Sequence, residues 1–466
     1  MSSPPARRTR PSRLALASAT IAAATTTLVC LPSAPGLFGL TGLLLGLGAF
    51  ATGGVALLVA FPQALAALVP VLIPAPMLLF LFSWEAALLA LAALLLLHGW
   101  RTRAPWLRNI SPVEAAFVLW LVWALFTGCW SEDARSYLIG VRKMLMSLCT
   151  IWVAMRLPAI ASRRWFDAGI ISVASLLSLL TILRFMTTGL SAEESALRRP
   201  SVTDLGWGRS NYLAAMLVLC TPSLLRLLVR GRGRERWLAG VAMGLVTTVQ
   251  LIVASRAAAA LFLVGTLSYL LFAFPKVRLR VFAGFATTVT LVLMSPLGEG
   301  LLSRMFNLRE LGSMTIRIWF FREGWVRMLD HLPWGMGLWQ GFKNADKLQG
   351  LDPHNFLLLI GGDLGIPGLL LWGWLNFVIA RAWWRTRVDG PSRDQSNALL
   401  LTLVLANVNS WVEPTFTGPQ FNLLFYWILA GTLSYAILDS EKVRRTAVLV
   451  ERPALIPRAG PEASGA

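Results

Sequence analysis

The chain is built from apolar runs of about 18 or more residues separated by short polar turns. A run of that length crosses a hydrocarbon layer of roughly 30 Å as a helix, and in lipid only a helix or a closed barrel satisfies its own backbone polar groups. The runs cover approximately 14–31, 36–60, 64–82, 84–99, 112–129, 138–157, 166–186, 210–229, 236–254, 256–274, 280–298, 355–380, 397–412 and 421–438. They predict an all-α, polytopic transmembrane bundle of about 12–14 spans. The range reflects residues 33–84, which carry no charge to mark where one span ends and the next begins. With 56% hydrophobic and 14% charged residues, a soluble fold with so many uninterrupted apolar segments is excluded.

A net charge of +19 raises the question of nucleic acid. The placement of the cations answers it. They cluster at Arg7, Arg8, Arg10 and Arg13, at Arg101, Arg103 and Arg108, at Arg163 and Arg164, and in 230–236, 276–280, 385–393 and 442–445. If all these segments face the cytoplasm the positive-inside rule is obeyed, and topology accounts for the charge without a nucleic-acid partner. The spans then divide the chain into a basic cytoplasmic tail (1–13), N-terminal transmembrane helices (14–111), a transmembrane core (112–298), an outer, periplasmic loop (299–354), C-terminal transmembrane helices (355–438) and a cytoplasmic tail (439–466). Both termini lie on the cytoplasmic side. A retained signal-anchor is the expected reading of the N-terminus, against a cleaved signal peptide. The four cysteines, Cys30, Cys129, Cys149 and Cys220, form no CxxC pair, and no metal site or disulfide framework is indicated.

Within 299–354 the stretch "MTIRIWFFREGWVRMLDHLPWGMGLWQGF" mixes Trp, Phe and Arg at helical spacing, the composition of an amphipathic helix at a headgroup surface. Interfacial anchoring alone explains such a pattern; arginines facing an anionic lipid substrate also explain it. Polar residues outside the loops gather at the ends assigned to the periplasm: Arg142, Lys143, Arg209, Asn211, Arg256, Arg317, Arg322, Asp352, His354, Asn355, Asp363 and Glu413. Several cations with one histidine at a single membrane depth fit a phosphate-bearing substrate, because guanidinium forks match phosphate oxygens and neutralise leaving-group charge.

Four stretches carry a family resemblance: "WGRSNYLAAMLVLCTPSLL" (207–225), "SRAAAALFLVG" (255–265), "RIWFFREGWVRMLDHLPWGMGLWQGF" (317–342) and "HNFLLLIGGDLGIPG" (354–368). Their order resembles the successive motifs of the O-antigen ligase and polymerase superfamily, over roughly 112–438. Three departures stand out: Leu332 lies between His331 and Pro333, the acid after His-Asn is Asp363 where glutamate is commoner, and Pro367 falls within the Gly365–Gly368 step. Pro367 is expected to open the first turn of a new helical segment.

The resemblance implies a metal-independent glycosyltransferase without cofactor, using an undecaprenyl-pyrophosphate-linked glycan as donor at the periplasmic face of the bacterial inner membrane. The glycan goes to an acceptor sugar hydroxyl on lipid A-core, or, in a polymerase, to another lipid-linked glycan that becomes an O-antigen, capsule or exopolysaccharide. It implies His354 as the base or an acceptor-positioning group, the alternative being a cap on the helix that Asn355 begins. Arg256 and Arg317 are implied for the pyrophosphate, with Arg322 as understudy; Arg142 and Lys143, just inside the outer end of a span, either snorkel to the interface or touch the donor pyrophosphate. Arg317 and Arg322, five apart, cannot share one helical face. Asn211, Asn355, Asp363 and Glu413 are expected to bind the acceptor or orient other groups. His331 is expected to pack in a loop. A solute transporter is the reading from another class, but transporters place charges near the midplane on paired half-repeats, and no internal repeat is evident.

Overall fold

The computed structural model describes residues 65–73, 110–187, 210–253, 255–294, 311–340, 355–387, 393–413 and 418–451, with isolated positions 63, 92, 95, 96 and 416. The basic tail 1–13, most of the spans expected in 14–111, the segment 188–209, and Asp352 and His354 lie outside the described residues. The described elements are helical: α1 (Leu65–Leu72), α2 (Pro112–Phe126), α3 (Ala134–Ile160), α4 (Arg163–Thr187), α5 (Ser210–Arg230), α6 (Arg234–Val253), α7 (Arg256–Ala273), α8 (Arg278–Leu293), α9 (Leu311–Asp330), α10 (Phe356–Arg387), α11 (Arg393–Val412) and α12 (Pro419–Glu451). Among the described residues eight helices, α2 to α7, α10 and α12, are long and apolar enough to cross a membrane. The protein is an all-α, multi-pass membrane protein.

Local chemistry sets the helix starts. Ser111 caps α2 in a reciprocal box with Glu114 (3.2 and 2.6 Å), and Pro112 fills the first helical position, where its missing N–H costs nothing. Asp133 caps α3 by accepting from the Arg135 amide at 3.0 Å. Helix α5 is the hub, packed by α4, α6, α7, α11 and α12. Helix α12 runs beside α3 along the same core. Helix α11 is polar for a span, and its neighbours meet part of that polarity: Asn407 donates to Asn376 at 2.9 Å and Gln395 to the Thr432 carbonyl at 2.9 Å. In hydrocarbon an unmet polar group costs several kcal/mol, so these pairings hold a helix that hydropathy alone would not. Helix α8 has no buried residue and packs mainly on α7, leaving Leu279, Phe282 and Leu291 exposed to the surroundings, lipid in a membrane.

One helix is broken. Gly365 in α10 has φ 66° and ψ −162°, a region essentially reserved for glycine, and Pro367 opens the second half as the sequence predicts. A β-carbon on Gly365 would lie 2.1 Å from the Pro333 carbonyl oxygen. The close approach is real: segment 331–340, after α9, lies against the break. Met336 N–H donates to the Gly362 carbonyl (2.8 Å), Gly337 N–H to that of Asp363 (2.9 Å), and Ile366 N–H to that of Pro333 (2.9 Å). Irregular backbone in a membrane bundle survives only where protein satisfies it, and here each irregular strand serves the other.

Candidate functional site

The helix order puts every basic turn, between α3 and α4, α5 and α6, α7 and α8, and α10 and α11, at one end of the bundle. Three elements converge at the opposite end. Arg317 on α9 places Nη2 2.6 Å from Oε1 of Glu413, and Asn211 on α5 donates to that same oxygen at 2.9 Å. Glu413 follows α11, its amide donating to the Asn409 carbonyl at 2.9 Å. Phe416 packs against Phe356, Trp372, Phe421 and Phe425. The acid is 2% exposed, whereas the Arg317 side chain is 39% exposed. A guanidinium has five N–H donors in a rigid fork, so holding one edge on a buried carboxylate fixes its direction and leaves donors for an incoming anion.

A second polar group sits where α3 meets the broken helix. Asp363, 3% exposed, accepts from the Trp339 amide at 2.9 Å, and Lys143 Nζ lies 3.7 Å from the centroid of the Trp339 ring. These three residues share a cleft of about 60 Å³ with an aromatic wall that includes Phe117, Trp120 and Phe356. Gln340 clamps the same segment from the other side, accepting from the Asp133 amide (3.0 Å) and donating to the Asp133 carbonyl (2.8 Å).

The structure thus brings Asn211, Arg317 and Glu413 into one cluster and Lys143 and Asp363 into one cleft. Asn355 caps α10: its Oδ1 accepts from the Leu358 amide at 3.0 Å and its Nδ2 donates to the Trp411 carbonyl at 3.1 Å. Arg256 opens α7 and is half-buried; Arg142 and Arg322 are exposed. His331 is exposed, with Nδ1 2.9 Å from the Arg327 carbonyl oxygen. The expectation that polar residues gather at one end needs correction. Charges are buried at the basic end too: Arg156 pairs with Glu114, Arg226 with Asp167, and Arg163 bridges Asp167 (3.5 Å) and Asp439 (3.2 Å). Glu114, Arg156, Asp167 and Arg226 fall inside helices, and a charge inside an apolar span was the signal available for them. No such signal exists for Gln340 or for the Trp339 backbone.

No curated protein matches the chain in sequence. Residues 250–373 match the model of the O-antigen ligase family. That segment contains Arg256, Arg317, Arg322, the 331–340 knot, His354, Asn355, Asp363 and the break in α10. The match is to that segment of the chain, and it overlaps three of the four stretches whose order resembles the O-antigen ligase and polymerase superfamily.

Proposed function

We propose that the protein is an O-antigen ligase-like glycosyltransferase of the bacterial inner membrane. It moves a glycan from undecaprenyl pyrophosphate to a sugar hydroxyl of lipid A-core at the periplasmic face. The observation that carries the reading is the half-exposed Arg317, aimed by buried Glu413 at the end away from the basic turns and inside the matched domain. In the reaction the anomeric C–O bond to pyrophosphate breaks and the acceptor oxygen forms a new bond to that carbon. Arg317 and Arg256 meet the charge that grows on the departing pyrophosphate, with Arg322, Arg142 and Lys143 along its approach. His354 takes the acceptor's proton, a task suited to an imidazole near neutral pH. Asn355, Asp363, Asn211 and Glu413 hold these groups or the acceptor in place. Membrane lipids surround the bundle, and the reaction uses no nucleic acid, cofactor or metal.

The test is deletion followed by gel analysis of surface polysaccharide. The expected result is loss of the ladder on lipid A-core with accumulation of lipid-linked polymer, not restored by a His354→Gln copy, since an amide accepts no proton at neutral pH. Collapse to single repeats would instead identify a polymerase. An unchanged profile would reject both.

A further inference from the structure

Trp339 is an unlikely residue for its backbone: its φ of 65° makes it the one non-glycine in the left-handed region among the described residues. A bulky side chain is rare there and persists only when its surroundings over-determine the conformation. They do so on every side. The Asp363 carboxylate takes the Trp339 amide, the Leu338 amide donates to Thr127 Oγ1 at 3.0 Å, and Gln340 is clamped to both main-chain groups of Asp133. Gly140 on α3 lets the segment approach, since a β-carbon there would lie 3.0 Å from that of Trp339. The result is an indole whose face lies 3.7 Å beneath the Lys143 ammonium. A lysine ammonium is a compact charge on a flexible four-carbon stem, and the negative face of an aromatic ring favours a position over it.

We infer that Trp339, fixed by Asp363 and Gln340, is a positioning residue that sets the Lys143 ammonium for the donor's pyrophosphate. This rests on the reading above that Lys143 meets the donor. Trp339 itself touches no reacting atom. Its effect is exerted through Lys143, so removing both should cost no more than removing Lys143 alone, whereas a purely structural role would add to the loss.

The experiment measures binding of undecaprenyl pyrophosphate to the full-length protein in nanodiscs, with phosphatidylglycerol as the competing anionic lipid. Trp339→Leu is expected to weaken binding by about 2- to 30-fold, the range for a cation–π contact from exposed to desolvated. Lys143→Gln should weaken it at least as much, and the double variant should match Lys143→Gln. Since Trp339→Leu is a threat to folding, fluorinated tryptophans at 339 give a second measurement that keeps the shape and drains the ring face. Binding should fall stepwise with each fluorine. A flat fluorination series, or additive losses in the double variant, overturns the inference while leaving Lys143 at the donor. Wild-type affinity in Lys143→Gln, or equal competition by phosphatidylglycerol, overturns the donor role of Lys143 and the inference with it.

Discussion

Arg317 and Glu413 divide a task by burial: the acid is enclosed and holds position, while the guanidinium is half-open and free to meet an anion. Arg317→Ala is therefore expected to lower transfer by about 10²- to 10³-fold, the effect of losing one preorganised charge contact, with normal protein levels in the membrane. Lysine should restore only part, because it has no fork. Glu413→Gln should fall between wild type and Arg317→Ala, since the amide oxygen still accepts from Asn211 while the charge that aims Arg317 is gone. Transfer rates in purified membranes check this series; full activity in Arg317→Ala would remove Arg317 from the donor site. His331 and His354 differ in a way the motif order already marks, with only His354 joined to Asn355, whose side chain caps α10.

At the scale of elements, the break in α10 and the 331–340 segment form one unit, each supplying the hydrogen bonds the other lacks. Gly365→Ala should lower the detergent melting point and the yield. It costs about 1–3 kcal/mol for the glycine-only backbone, plus the displacement of a carbonyl that a β-carbon would meet at 2.1 Å. Gly373→Ala, in the same helix with open space around it, should be neutral or stabilising by up to ~1 kcal/mol. Equal melting points for the two variants would show that the break does not depend on Gly365. The Gly and Pro residues of "GGDLGIPG" announced the interruption. They did not announce its partner, because hydrogen bonds between 333–337 and 362–366 join residues far apart in the chain.

For the whole molecule, alternation of helices assigns the basic turns and the Arg317 cluster to opposite faces. Reporter fusions within 231–233 and after Glu451 should read cytoplasmic, and one within 308–312 periplasmic. The reverse pattern would place the cluster on the wrong side for a lipid-linked glycan presented outside. Apolar run length and turn charge, both local properties, determined the all-α membrane class, most helix positions among the described residues and the expected sidedness, and motif order marked the likeness that the family model matches over 250–373. Which polar residues meet was decided by tertiary structure alone. Asn211 and Glu413 lie some two hundred residues apart, as do Asp133 and Gln340, and no helical period relates them. The buried pairs of Glu114 with Arg156 and of Asp167 with Arg226 likewise exist because neighbouring helices place opposite charges together inside the bundle. A sequence records that a polar side chain must be met within a bundle; packing selects the partner.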